Sequence, residues 1–235
     1  MVAFLGEFIG TALLLAIGSG VVANEVLQKT KGHNTGWVSI TLGWGIGVFL
    51  GVYASTAIGG SGHLNPAFTI GMAVFGDFDP SLVAPYLLAQ FSGALVGSVL
   101  GWASYYQHFA ATDDANLKLA VFSTIPAIPH TLSNLITEII GTFVLVFGAL
   151  LASAPTSSLG ALDALPVGLL VIGIGLGLGG ATGYAINPAR DLGPRIAHFL
   201  LPIPGKRDSD WSYSWIPVVG PIVGGLLGAY VYQLL

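Results

Sequence analysis

Six stretches of the chain stay apolar for about the 20 residues that one helical membrane crossing requires: residues 3 to 26, 37 to 58, 82 to 106, 133 to 153, 163 to 182 and 214 to 234. Two shorter apolar pieces, 66 to 76 and 188 to 200, each begin at an Asn-Pro pair. Neither is long enough to cross roughly 30 Å of hydrocarbon, so both read as half-spans. The polar connections carry turn chemistry: Gln28 to Gly36, Asp77 to Pro80, His108 to Ser123, Ala154 to Ser158 and Pro202 to Asp210. The pattern predicts an all-α membrane protein with six transmembrane helices and two re-entrant half-helices, forming one transmembrane domain over residues 1–235.

Composition sharpens this picture. The chain is 54% hydrophobic and 8% charged, whereas a soluble domain carries about 25% charged residues. It could not cover its surface with groups that water accepts. It has no cysteine, which excludes disulfide frameworks, thiol catalysis, Cys-ligated zinc and iron–sulfur clusters, and nothing in it calls for a metal or cofactor. Seven Lys+Arg against eleven Asp+Glu are too sparse to track a nucleic-acid backbone. The amino terminus lacks a positive leader and Glu7 interrupts its apolar run, so it is expected to stay attached rather than act as a cleaved signal.

The sequence repeats itself. Glu7-Phe8-Ile9-Gly10-Thr11 returns as Glu138-Ile139-Ile140-Gly141-Thr142, and Gly62-His63-Leu64-Asn65-Pro66-Ala67 returns as Gly183-Tyr184-Ala185-Ile186-Asn187-Pro188-Ala189. Gly93, Gly97 and Gly101 return as Gly220, Gly224 and Gly228. The pairs keep the same order, which marks tandem copies over approximately 1–110 and 131–235. Each copy holds three full spans, an odd number, so the second must enter the membrane from the opposite face. Inverted repeats of this kind build their shared site near the midplane.

Backbone that leaves helical form inside a bilayer is tolerated only where protein buries it or where it lines a wet cavity. Proline at the first helical position sacrifices no hydrogen bond, and asparagine is among the best N-caps. Asn65 before Pro66-Ala67 and Asn187 before Pro188-Ala189 therefore each start a helix. In inverted copies the two starts meet at mid-membrane, presenting two partial positive ends and two amides able to donate hydrogen bonds. Such a site accepts polar, uncharged solutes and repels cations and migrating protons. One Asn-Pro pair is a common turn; two at matched repeat positions carry weight.

The doubled Asn-Pro-Ala, with Arg190 following the second copy, resembles the aquaporin and glycerol-facilitator family, the major intrinsic proteins, over essentially the whole chain. The resemblance implies a homotetramer of independent pores in the lipid bilayer of the cell membrane, with both termini cytoplasmic. It also implies that Arg190 lines the narrowest point. An intramembrane charge is costly and functional by default, and a guanidinium's fork of donors can hold hydroxyl oxygens while its charge discourages cations. Alignment on the Asn-Pro-Ala segments adds Trp44, Gly175 and Tyr184 to the constriction. Water-selective members typically carry histidine at the Gly175 position, so glycine implies a wider pore, with Trp44 as an apolar wall for the CH side of a polyol. Asp191, Arg195 and Pro217-Val218 match the glycerol-conducting branch. Tyr184 departs from the expected phenylalanine by a hydroxyl. The implied activity is passive diffusion of glycerol, water and other small neutral solutes, undissociated lactic acid among them, with ions and protons excluded.

Glu7 and Glu138 lie at equivalent places inside spans, where an unpartnered carboxylate would be very costly. The resemblance makes them structural, accepting hydrogen bonds from the non-helical segments, with Asp191 as a further support. The rival role, proton coupling, lacks a matching cation on another span. His63, beside Asn65, either faces the pore or fixes its loop; His33, His108, His130 and His198 fall near loops and read as surface residues. The glycine spacing reads as helix packing within one bundle.

Two other classes compete. Gly59-Gly60-Ser61-Gly62 matches the Gly-x-Ser-Gly of intramembrane serine proteases, but no full span holds a histidine to act as base. An ion-coupled secondary transporter of a small polar solute also uses inverted repeats and broken helices. Orientation is contested as well. Lys29, Lys31, Lys118, Lys206 and Arg207 all fall in the first, third and fifth connections, a side that the positive-inside rule assigns to the cytoplasm and the resemblance assigns to the exterior. Five charges are a thin statistic, so the family topology is preferred.

Overall fold

The computed structural model describes residues 1–152, 158 and 160–235. The helices are, in order, α1 (Val2–Val26), α2 (Trp37–Ile58), α3 (Pro66–Phe75), α4 (Val83–Ser104), α5 (Tyr106–Ala111), α6 (Ala115–Ala120), α7 (Thr131–Ala152), α8 (Leu165–Leu178), α9 (Pro188–Leu200) and α10 (Ile216–Gln233). Short 3-10 turns occupy Pro80–Leu82 and Gly160–Ala164, and no strand occurs among the described residues. Ser153, at the end of the fourth predicted span, and residues 154 to 157 of the predicted connection lie outside the described residues.

Among the described residues, five helices are long and apolar enough to cross a membrane: α1, α2, α4 with its preceding turn, α7 and α10. The predicted span 163 to 182 is instead a composite. Helix α8 has 14 residues and the Gly160–Ala164 turn adds 5, which together rise about 31 Å. The helix ends at Leu178, short of the predicted limit, because the chain beyond it is drawn to Glu138, whose carboxylate accepts from Thr182, Ala185 and Ile186. The predicted loop 108 to 123 also differs, since α6 and most of α5 lie within it. Asp114 caps α6 by accepting from Asn116 N–H, and Phe109, Leu119 and Phe122 bury their side chains.

Helix α1 packs against both α4 and α2, and α7 packs against α10. Glycines permit the approach. A Cβ at Gly97 of α4 would fall 2.3 Å from Ala12 O of α1, and one at Gly224 of α10 would fall 2.2 Å from Ile139 O of α7. The repeated glycine spacing thus serves contacts within the chain, as expected. The exterior is apolar, with Leu88, Leu169, Leu200 and Ile140 among the exposed residues, while Glu7, Gln90, Glu138, Asp191 and Arg195 are fully buried. This distribution is the reverse of a soluble domain's. The chain is an integral membrane protein.

Candidate functional site

Each half-helix is entered through a non-helical segment, 61 to 65 before α3 and 183 to 187 before α9. Leu64, Tyr184 and Ile186 have φ of +50°, +40° and +45°, left-handed values that cost an L-residue roughly 1 kcal/mol or more each. Two buried carboxylates hold these segments. Glu7 Oε1 accepts from His63 N–H at 2.9 Å and Oε2 from Leu64 N–H at 2.7 Å. Ser55 Oγ and Gln90 Nε2 complete its partners at 3.3 and 2.8 Å. Glu138 Oε1 accepts from Thr182 Oγ1 at 2.6 Å and Ala185 N–H at 3.0 Å, and Oε2 from Ile186 N–H at 2.8 Å. Gln90 was not foreseen. Its signal was an uncharged amide inside an apolar span, which needs a buried partner as much as Glu7 does.

The two segments are tied to each other through the caps. Asn65 Oδ1 accepts from Ala67 N–H at 2.9 Å, and its Nδ2 donates across to Ile186 O at 2.8 Å. Asn187 Oδ1 accepts from Ala189 and Arg190 N–H at 3.0 and 3.3 Å, and its Nδ2 donates back to Leu64 O at 2.8 Å. The helix starts therefore face each other, and each amide keeps a second N–H free of these bonds. Pro66, Ala67, Pro188 and Ala189 are buried in the first turns behind them.

A cavity of about 230 Å³ passes this junction. Among the predicted residues, Trp44, His63, Asn65, Tyr184, Asn187 and Arg190 line it; Val48, Val52, Leu145 and Val171 supply an apolar wall, and Thr56, Ser61 and Asp163 also border it. The guanidinium of Arg190 lies 4.1 Å from the centre of the Trp44 ring. Trp44 Nε1 and Tyr184 Oη are buried without a hydrogen-bond partner among the described residues. Gly175 lies against one of these lining residues, Tyr184. A Cβ there would fall 2.7 Å from Thr41 Cγ2 and 3.0 Å from Tyr184 Cζ, so the absence of a side chain leaves room for the tyrosine ring.

The remaining polar residues have defined places. Asp191 Oδ1 pairs with Arg195 at 2.8 Å, both side chains fully buried, and its Oδ2 accepts from Thr124 N–H and Oγ1. Arg195 also donates to the carbonyls of Ser209 and Thr124, which joins α9 to two connections. His63 borders the cavity and is also held in place, with Nδ1 3.1 Å from Thr69 Oγ1 and its ring against Phe68, Phe78 and Tyr86. Ser61, of the protease-like tetrad, is hydrogen-bonded to the Tyr86 hydroxyl at 2.9 Å. His198 is not a surface residue: it is fully buried, bonded through Nδ1 to Ser209 Oγ and packed on Phe122.

Comparison with known proteins agrees with this arrangement. Residues 1–232 match the family described as Major intrinsic protein. The chain is 56% identical over 235 residues to the probable glycerol uptake facilitator protein of Thermotoga maritima, covering 100% of each. It is 54% identical to glycerol uptake facilitator protein 3 of Lactiplantibacillus plantarum, over 98% of this chain and 95% of that one. Among solved structures it is similar to the aquaglyceroporin from Plasmodium falciparum, with a TM-score of 0.87 and 30% identity over 99% of this chain and 95% of the other.

Proposed function

Because the chain belongs to the major intrinsic protein family, it is a membrane channel and not an enzyme, and we propose that it conducts glycerol, water and other small neutral solutes by passive diffusion. The observation that carries this reading is the reciprocal pair of bonds from Asn65 to Ile186 O and from Asn187 to Leu64 O. They aim two helix N-termini and two amide donors at one point of the cavity.

A polyol reaching that cavity would lay its CH face on the Trp44 and Tyr184 rings and turn its hydroxyls toward Arg190. The free N–H of each asparagine then receives a hydroxyl or water oxygen. A cation would leave its hydration shell facing two positive helix ends and a guanidinium, which opposes its passage. Glu7, Glu138 and Asp191 act as supports of the segments that carry these groups, and Gly175 acts on the constriction through Tyr184.

We further place the copies 1–110 and 131–235 in opposite orientations, in a homotetramer in the cell membrane with cytoplasmic termini. Three of the basic residues that argue for the reverse orientation are engaged in contacts of the folded connections. Lys118 Nζ donates to Pro204 O, Lys206 Nζ to the carbonyls of His198, Phe199 and Leu201, and Arg207 to Asp208 and Asn116. Their structural use accounts for their presence on an exterior face.

Light scattering by liposomes carrying the purified protein tests the function. Water and glycerol gradients should each dissipate faster than in empty liposomes, with no proton or sodium gradient imposed. Rates equal to those of empty liposomes would remove the reading, and strict dependence on an ion gradient would favour a coupled transporter.

A further inference from the structure

Gly179, which ends α8, has φ of −78° and ψ of −21°, ordinary right-handed values that any L-residue adopts. Its surroundings supply the reason for glycine. A Cβ at 179 would fall 2.4 Å from Tyr184 Cδ1, 2.6 Å from Gly175 O and 3.0 Å from Trp37 Cζ2. On the same stretch, Gly173, Gly177 and Gly180 have nothing within 4 Å of such a Cβ among the described residues. Gly175 and Gly179 lie one helical turn apart and share one face. Together they form a notch into which the tyrosine ring is set.

Trp37, at the start of α2, closes that notch. Its ring centroid lies 5.8 Å from that of Tyr184 at an interplanar angle of 79°, and its indole N–H donates to Gly175 O at 2.9 Å. The indole is thereby anchored to the backbone of the helix that forms the notch. Tyr184 has no comparable anchor. Its hydroxyl has no partner among the described residues, and its own backbone is left-handed at +40°. Packing against the notch therefore decides where the ring stands relative to Arg190 and Trp44.

We propose that Gly179 and Trp37 are positioning residues that set the width of the constriction from the far side of Tyr184, by seating its ring against α8. The inference rests on the reading of the cavity as a glycerol channel. It predicts changes of opposite sign. A methyl at 179 drives the ring toward the cavity and narrows it, whereas loss of the indole anchor frees the ring to move away and widens it.

The test is light scattering by proteoliposomes challenged with water, glycerol and the five-carbon polyol xylitol. Gly179→Ala should lower the glycerol-to-water permeability ratio roughly tenfold, the scale of one methylene in a fitted pocket. Gly177→Ala, the control on the same helix, should keep the native ratio. In the double variant Gly179→Ala/Tyr184→Ala the deficit should vanish, because no ring remains to be displaced. Trp37→Phe should raise the xylitol-to-glycerol ratio roughly tenfold on the same scale.

A native ratio in Gly179→Ala overturns the proposal. So does a deficit that persists undiminished in the double variant, which would locate the effect in the α8 backbone. If Gly179→Ala yields no folded protein, Trp37→Phe decides alone, and an unchanged xylitol-to-glycerol ratio overturns the proposal. Failure of the underlying channel reading is distinct: the native protein itself would then pass no glycerol.

Discussion

The half of the molecule around Asn65 and the half around Asn187 hold their backbones with the same devices but load their half-helices differently. In both, an asparagine caps the helix and reaches across to the other segment, and a buried glutamate binds two successive N–H groups. Beyond the caps they diverge. Where α3 has Phe68 and Thr69, α9 has Arg190 and Asp191. Thr69 joins a network with Gln90 and His63 that includes no salt bridge, whereas Asp191 makes a fully buried ion pair with Arg195. Duplication of the frame is what a junction of two facing helix ends requires, since each half supplies one of them. In the proposed channel one arginine suffices to discriminate between solutes, and a second buried charge would add another desolvation cost.

Removing the frame should have the largest effect. Glu7→Ala and Glu138→Ala each strand two buried or partly buried backbone N–H groups as well as side-chain donors, at about 1–3 kcal/mol per group. Both variants should lose at least about 3 kcal/mol of stability, read as a fall in the thermal unfolding temperature in detergent. A variant that unfolds like the native protein would show that the halves do not depend on equivalent supports. Next in size is the asymmetry itself. Arg190→Ala should raise cation or proton leakage about tenfold, some 1.4 kcal/mol of barrier, in a flux assay on liposomes. Phe68→Ala, at the matching position, should leave leakage at the native level.

The smallest effect concerns the entries to the last helix of each half. The turn before α4 is capped by Asp79, which accepts from Ser81 N–H at 2.9 Å, while α10 starts at Ile216 with no side-chain cap from Trp215. That hydrogen bond holds the Asp79 carboxyl below its ordinary value of 3.8. Its stabilisation is therefore complete above the ordinary value and is lost as pH falls through the lower folded value. Thermal unfolding followed from about pH 5 downward should show slightly more loss for the native protein than for Asp79→Asn, which caps without titrating.

Much of this was legible from local signals. The second span was read at residues 37 to 58 and forms as Trp37–Ile58, and both half-helices begin at the prolines read as their starts. Apolar length and Asn-Pro caps act within a few residues, so a linear reading captures them. Two features were not legible. Helix α8 breaks at Leu178 although the apolar run continues, because the next residues answer to Glu138 on another helix. His198 looked like a loop histidine and is enclosed by Phe122 and Ser209 from distant connections.

The sequence by itself determined that this chain lies in a membrane, that its motifs recur in the same order, and that two asparagine-capped helices start within it. Composition, repetition and capping are properties of neighbouring residues and survive without a fold. Only the tertiary structure decided which carbonyl each asparagine amide reaches, which groups answer the two buried carboxylates, and which residues pack against the ring of Tyr184. Those outcomes depend on distances of a few ångströms between residues far apart in the chain, and close packing of several helices at once is what sets such distances.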